Sequence, residues 1–369
     1  MSQIFTENAA QRLRIFLKKN TKNSEFELLT PDASTREYFR IPWDKSTAIA
    51  CLYAEPFEEK EHNYLDVTRL FSGCHLPVAE ILAFDGEFGV IVLEDLGDLV
   101  LRDVLDKSYE AARDNLINKA ISLIPKIQAA TPTAFDTGSI ASRLVFDREK
   151  LGWELDFFKT HFFETYRQEK LSESDGRALD KEFSELAREL ETLAKVLCHR
   201  DFHAANLMID KKNRLHIIDH QDARIGSTSY DLVSLLLDRV LDIPFSDWLD
   251  EKKRFFLSGR EKIGLEKIDF TQFDNEFQLQ TIQRCLKAIG TFSFQSVNRG
   301  KIHFVQYIVP MLKIVLKAAE RLQRFPNLQR IIIQKLVKNK IENDLWTSRI
   351  EPDFYKMIIN RSFWKKYNF

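Results

Sequence analysis

The stretch Val196-Leu-Cys-His-Arg-Asp-Phe-His-Ala-Ala-Asn-Leu-Met-Ile209 restricts the fold of this chain more than any other. An apolar run leads into His199, Arg200 and Asp201, four residues separate Asp201 from Asn206, and a second apolar run starts at Leu207. The polar segment Asp210-Lys-Lys-Asn-Arg214 interrupts the pattern, and Leu215-His-Ile-Ile218 is a third apolar run that ends on Asp219. Short apolar runs joined by a polar turn make a hairpin. Neighbouring strand ends of such a hairpin bring Asn206 and Asp219 together, with Asp201 just ahead of them.

A carboxamide oxygen beside a carboxylate is a hard-oxygen pair suited to Mg2+, which keeps part of its water shell and takes few protein ligands. A second carboxylate beside the metal, rather than on it, can orient and deprotonate an attacking hydroxyl. Phosphoryl transfer needs these parts, because it runs on positioning and charge neutralisation. The spacing H-R-D-x-x-x-x-N, with an acid after the next strand, matches the catalytic loop of kinases. Asp201 is therefore the expected catalytic carboxylate, and Asn206 and Asp219 are the expected ligands of Mg2+.

Two other readings compete. A buried Asp often only caps a turn, but that leaves the coincidence of Asp201, Asn206 and Asp219 between apolar strands unexplained. The alternation His199-x-Asp201-x-His203, with His216 and His220 nearby, has the donor types of a zinc hydrolase. Against it, His216 lies between Leu215 and Ile217 in a strand, and His62, His75, His161 and His303 are isolated. His199 and His203 are expected to hydrogen-bond the loop backbone.

Upstream, residues 7 to 19 place Ala10, Leu13, Ile15, Phe16 and Leu17 among charges, as an amphipathic helix does. Phe26 to Leu29, Glu37 to Ile41 and Thr47 to Tyr53 are expected strands of a small antiparallel sheet. The turn from Pro31 to Arg36, with Ser34 and Thr35, would lie over the phosphates in a nucleotide lobe and is otherwise a plain hairpin turn. Glu58 to Phe71 is an expected helix, and Val78 to Phe84 and Gly89 to Leu93 are further strands. Leu93-Glu-Asp-Leu-Gly97 ends a strand in acids and a glycine. It suits a linker where adenine meets backbone at Glu94 and Leu96, and is otherwise a simple strand end.

Beyond Gly97 the apolar spacing is helical: Leu151, Leu155, Phe158 and Phe162, then Leu179, Phe183, Leu186 and Leu190. Tyr230 begins another helix, with Asp231 in its first turn. So short an interval after Asp219 leaves no room for a long activation segment, and an extended peptide has no platform. The expected acceptor is a small molecule. Phe277 to Phe294, and Ile302 through Ala319, supply helical walls that are core first and pocket lining second. From Pro326 the tail carries nine Lys or Arg and four Asp or Glu among its aromatic residues. It is expected to pack as a helical extension rather than to touch nucleic acid or membrane.

Composition adds limits. The 369 residues are enough for two lobes, and a net charge of −1 gives no sign of a nucleic-acid partner. Cys51, Cys74, Cys198 and Cys285 show no paired spacing and fit buried thiols in a reducing compartment. The N-terminus lacks a basic start with an apolar run, and no stretch approaches the roughly 20 apolar residues of a membrane span. A cytoplasmic location without membrane contact is expected; the oligomeric state is not legible.

His199-Arg-Asp-Phe-His-Ala-Ala-Asn206 and Ile218-Asp-His-Gln-Asp-Ala223 resemble the aminoglycoside phosphotransferase and choline kinase superfamily. Asp32-Ala-Ser-Thr-Arg-Glu-Tyr-Phe-Arg40, Val92 to Gly97, Phe146 to Leu151, Tyr230 to Leu235 and Leu286 to Gly290 look most like the anomeric kinases of N-acetylmuramate and N-acetylglucosamine. The resemblance runs from about residue 5 to 325. It implies an α+β, protein-kinase-like two-lobed fold: a small antiparallel-sheet nucleotide lobe at 1–97, a large helical catalytic and acceptor lobe at 98–325, and an added tail at 326–369. It implies ATP and Mg2+ as cofactors and phosphorylation of the anomeric hydroxyl of an amino sugar, feeding cell-wall (peptidoglycan) recycling, with Asp147, Glu154 and Asp222 as acceptor contacts. Another small alcohol, of aminoglycoside or choline type, is the alternative acceptor. The strand Ala48 to Tyr53 lacks the usual phosphate-binding lysine, so Arg36 or Arg40 is the expected substitute, and no glycine-rich loop is present. The missing lysine also motivates a non-transferring, nucleotide-binding scaffold; the intact trio of Asp201, Asn206 and Asp219 argues against it.

Overall fold

A computed structural model describes residues 8–20, 22–23, 25–29 and 36–342. The turn at Pro31 to Thr35 and the tail from 343 lie outside the described residues. Two compact units make up the chain: Met1–Leu144 with Val196–Ile225 and Ser258–Leu265, and Val145–Lys195 with Gly226–Leu257 and Glu266–Phe369.

The first unit holds an antiparallel sheet of β1 (Glu27–Leu29), β2 (Glu37–Trp43), β3 (Ser46–Leu52), β4 (Ile81–Asp85) and β5 (Val90–Glu94), ordered β1-β2-β3-β5-β4. Residues of β3 alternate between two apolar layers, as the two-residue period of a strand requires. Ala48, Ala50 and Leu52 pack with Phe39, Val90, Val92 and with Leu13, Phe16 and Leu17 of the helix Ala9–Lys19. Ile49 and Tyr53 pack with Ile91 and Leu93 and with Tyr64 and Leu65 of the helix Asn63–Gly73. Burial on both faces explains why Val90 to Leu93 is an unbroken apolar run. Arg12, itself buried, donates to the carbonyls of Phe88 (2.7 Å) and Tyr53 (2.8 Å), tying the first helix to the ends of two strands.

One expected element is divided. The helix expected from Glu58 starts at Asn63, because Glu59–Glu61 is a 3-10 turn and His62 is extended at the N-cap, its Nδ1 accepting from the Leu65 amide at 3.4 Å.

The motif-bearing stretch belongs to this same unit. β6 (Val196–Cys198) pairs with β9 (Arg224–Gly226). β7 (Leu207–Ile209) pairs antiparallel with β8 (Leu215–Ile217), in the register Leu207 to Ile217 and Ile209 to Leu215. The polar turn is built by Asp210, whose Oδ1 accepts from the Lys212 amide at 2.8 Å and the Arg214 amide at 2.9 Å, while Asn213 takes φ 58°. Backbone bonds from Ile217 to the Pro77 carbonyl (2.7 Å) and from Ile209 to the Leu99 carbonyl (2.8 Å) fasten the hairpin to the sheet unit. The hairpin thus belongs to the first compact unit.

The second unit is helical. The helix Phe270–Asn298 is buried along most of its length and packs against Arg148–Phe158 and Val305–Leu322. At Gly290 a Cβ would stand 2.8 Å from the Cα of Phe158, so a side chain there is excluded. Leu151, Leu155, Phe158, Leu179, Phe183, Leu186 and Leu190 are core residues, as their spacing predicts. The described part of the tail is the helix Pro326–Glu342; Glu182 accepts from the Asn327 and Leu328 amides at its start, each at 2.9 Å.

One expectation needs correction. The helical stretch Ile302–Leu322 has the length and mean hydropathy, 1.4, of a membrane span, although half of it is buried within the protein. Ile308, Met311, Leu312, Val315, Leu316 and Ala319 are core side chains, so its apolar stripe is spent on packing.

Candidate active site

The loop between β6 and β7 is held from within. His199 is fully buried, and its Nε2 lies 2.9 Å from the Ile218 carbonyl. A carbonyl only accepts, so Nε2 carries the proton and donates. Burial lowers the pKa of this ring and keeps it neutral. The bond links the residue before Arg200-Asp201 to the residue before Asp219. Arg200 (φ 84°) and Asp219 (φ 60°) both adopt the left-handed conformation. Non-glycine residues pay about 1–3 kcal/mol each for such backbone, and they concentrate at functional sites.

Three expected residues are brought together. The Asp201 carbonyl accepts from the His203 amide at 2.9 Å and from Asn206 Nδ2 at 3.0 Å. Asn206 Nδ2 is also 3.5 Å from Asp219 Oδ2, and the Asn206 carbonyl accepts from the Ile218 amide at 3.1 Å. Pinning the amide nitrogen leaves Asn206 Oδ1 as the remaining acceptor of that side chain. Asp219 Oδ1 accepts from Gln221 Nε2 at 2.9 Å and from Arg36 Nη2 at 3.1 Å. A carboxamide oxygen and a half-exposed carboxylate on adjacent strand ends are a donor set that fits Mg2+.

Asp222 forms an ion pair with Arg200 Nη1 at 2.8 Å, and the same Arg200 nitrogen stands 3.8 Å from Asp201 Oδ2. The other two expected acceptor contacts lie in the second unit and have partners there. Asp147 caps the helix Arg148–Phe158, accepting from the Lys150 amide at 2.7 Å. Glu154 is fully buried and accepts from Gln283 Nε2 at 2.7 Å.

The two arginines separate. Arg36 reaches Asp219, whereas Arg40 donates to Asp95 (2.8 Å) and Asp98 (2.7 Å). Asp95 is partly buried, which alone would raise its pKa. Bonds from Arg40, from Thr47 Oγ1 (2.7 Å) and from the Gly97 amide (3.0 Å) outweigh that and hold it ionised. Arg40 therefore braces the expected linker. Within that linker the Glu94 amide donates to the Glu80 carbonyl at 2.8 Å, so an adenine contact at Glu94 would run through its carbonyl. Leu96 is buried in the apolar layer beneath the linker.

Three histidines of the zinc reading each have one ring nitrogen engaged within the protein. His199 turns to the Ile218 carbonyl, His216 to Asp210 at 3.1 Å, and His220 to Thr68 Oγ1 at 2.6 Å. Among the described residues no three His, Cys, Asp or Glu side chains group as a metal site. His220 instead has a role that its local sequence did not reveal. The Thr68 hydroxyl donates to the Tyr64 carbonyl at 2.6 Å, so it accepts from His220 Nε2–H. The ring stacks on Tyr64 and Phe71, and burial, together with nearby His199, pushes its pKa down to about 3. A neutral imidazole thus joins the helix Asn63–Gly73 to the residue after Asp219. Its only signal in sequence is position, one residue past an expected metal ligand.

Residues 25–265 match the model of the phosphotransferase enzyme family. The chain belongs to this family. It is a phosphotransferase. It is 28% identical to the N-acetylmuramate/N-acetylglucosamine kinase of Neisseria meningitidis serogroup B, over 90% of this chain and 97% of the relative. It is 30% identical to the enzyme of that name from Pseudomonas aeruginosa, over 74% and 78% of the two chains. The fold is shared with choline kinase LicA from Streptococcus pneumoniae (TM-score 0.52, 15% identity, 84% of this chain and 99% of the other). It is also shared with the spectinomycin phosphotransferase APH(9)-Ia in complex with ADP and spectinomycin (TM-score 0.54, 11% identity, 84% and 98%). The expected kinase-like α+β fold, with its antiparallel sheet and helical remainder, is therefore borne out.

Proposed function

We propose that this phosphotransferase transfers the γ-phosphoryl group of ATP to the anomeric hydroxyl of N-acetylmuramate or N-acetylglucosamine. The observation that carries the chemistry is the meeting of Asp201, Asn206 and Asp219 within one hydrogen-bonded loop and hairpin. The sugar rests on the name shared by relatives aligned over most of their length. Asp201 orients the sugar hydroxyl and takes its proton as the oxygen attacks the γ-phosphorus; the bond to the bridging oxygen breaks and ADP leaves. Asn206 and Asp219 hold Mg2+, which when bound neutralises charge on the phosphate oxygens. Arg200 Nη1 pairs with Asp222 at 2.8 Å and lies 3.8 Å from the Asp201 carboxylate, which sets Asp222 beside Asp201 as the neighbouring acceptor contact. Backbone at Glu94 and Leu96 receives adenine. An anomeric hydroxyl is more acidic than an ordinary alcohol, which suits a carboxylate base.

The test is ADP release with ATP and Mg2+, using N-acetylmuramate, N-acetylglucosamine, an aminoglycoside and choline side by side. Turnover on the two amino sugars, with 1-phosphate products, is expected. Turnover confined to the aminoglycoside or choline would replace the sugar. ADP binding without turnover on any acceptor would favour the scaffold reading.

A further inference from the structure

Kinases hold nucleotide phosphates with a strand lysine that is kept in place by a glutamate of the neighbouring helix. This enzyme has neither. Ser46 to Tyr53 carries no lysine. The helix Asn63–Gly73 offers Asp66 as its acid, and that carboxylate already accepts from Ser139 Oγ (2.5 Å) and the Ile140 amide (2.8 Å).

A different cation lies beside Asp219. Arg36 enters at the start of β2 and donates to Asp219 Oδ1 at 3.1 Å. Its guanidinium lies 5.8 Å from the ring centre of Tyr38 and 5.7 Å from that of Tyr53, whose side chain is a favourable electrostatic partner for it. Tyr53 follows β3 and lies in the apolar layer that also takes up Ile49. Its ring is packed edge-on against Phe57 (5.5 Å) and His62 (4.6 Å), so the hydroxyl has a defined direction. Burial raises the Tyr53 pKa, and the hydroxyl stays protonated at neutral pH. Arg40, the other cation on this strand, is engaged by Asp95 and Asp98.

We propose that Arg36 is the phosphate-binding cation of this enzyme and that Tyr53 is its positioning residue, the pair standing in for the absent strand lysine and helix glutamate. The inference rests on the nucleotide reading above. Its chemistry follows from Asp219: a guanidinium touching a carboxylate that holds the metal ion of a nucleotide is beside that nucleotide's phosphates. A fork of N–H donors suits phosphate oxygens better than it suits a single carboxylate oxygen.

The experiment is calorimetric binding of adenosine and of ADP, without metal, to wild type, Arg36→Ala, Arg36→Lys, Tyr53→Phe and the double variant Arg36→Ala/Tyr53→Phe. Losing a charge-assisted contact should weaken ADP by about 10- to 100-fold in Arg36→Ala and leave adenosine unchanged, which also reports that the variant is folded. Arg36→Lys should recover part of the loss. Tyr53→Phe should weaken ADP about fivefold, and should add nothing in the Arg36→Ala background, because it acts through the arginine. ADP binding by Arg36→Ala equal to wild type, or equal losses for adenosine and ADP, overturns the role of Arg36. An additive effect of Tyr53→Phe overturns the positioning role. If wild type binds neither ligand, the nucleotide reading itself fails.

Discussion

The motif-bearing hairpin and the linker end of the sheet are built in opposite ways. In the hairpin, polar side chains are fixed by backbone: His199 by the Ile218 carbonyl and Asn206 by the Asp201 carbonyl, while the Asn206 backbone is itself tied to the Ile218 amide. At the linker end of the sheet, side chains mostly fix side chains: Arg40 on Asp95 and Asp98, Thr47 on Asp95, Arg36 on Asp219. Backbone partners do not change with substitution, so a local string of residues can specify the first geometry. The second geometry depends on every partner being the right residue.

Four substitutions or conditions test this contrast, starting from the largest expected effect. Asp219→Asn removes the charge on which Arg36 and the proposed metal converge; turnover should fall by about a thousandfold, as for a lost electrostatic contact to the reacting phosphate. Steady-state ADP release measures it, and a loss below tenfold would detach Asp219 from the mechanism.

The second test is acid stability. His220 has its folded pKa pushed down to about 3, while the unfolded ring titrates near 6.5. The unfolded chain therefore binds the extra proton between those values. The stabilising share of His220 is complete above about pH 6.5 and is lost as pH falls towards 3, with a slope of up to about 1.4 kcal/mol per pH unit. Urea titrations at stepped pH measure the slope, and His220→Phe should flatten it. An unchanged slope would mean that this ring is not the anchor described here.

Third, Thr68→Val removes the acceptor of His220 and leaves a buried N–H unsatisfied. A cost of about 1–3 kcal/mol is expected in urea unfolding. Fourth, Arg40→Ala should cost only about 1 kcal/mol, because its ion pairs with Asp95 and Asp98 are partly exposed. A loss at Arg40 larger than at Thr68 would reverse the expected order of the buried and the partly exposed contact.

The same contrast explains what was legible in the sequence. Asp201, Asn206 and Asp219 lie within one short stretch whose apolar runs and polar turn announce a hairpin, and the structure brings them together. Arg36 was one of two candidates because its partner lies 183 positions away, and no periodicity carries such a contact. Asp95 and Thr68 went unnoticed for the same reason: each acts on a residue far along the chain. Helical stripes such as Leu179, Phe183, Leu186 and Leu190 were plain, since burial follows the helical period directly. The apolar length of Ile302–Leu322 was underread because Lys313, Lys317 and Glu320 interrupt a run that a helix sorts onto one face.

The most direct test of the account is one comparison: single-turnover transfer from ATP to N-acetylglucosamine by wild type and by Asp201→Asn, with ADP affinity measured on both. The account predicts a transfer rate lower by about 10²- to 10⁴-fold with ADP affinity unchanged. Transfer at the wild-type rate would contradict it.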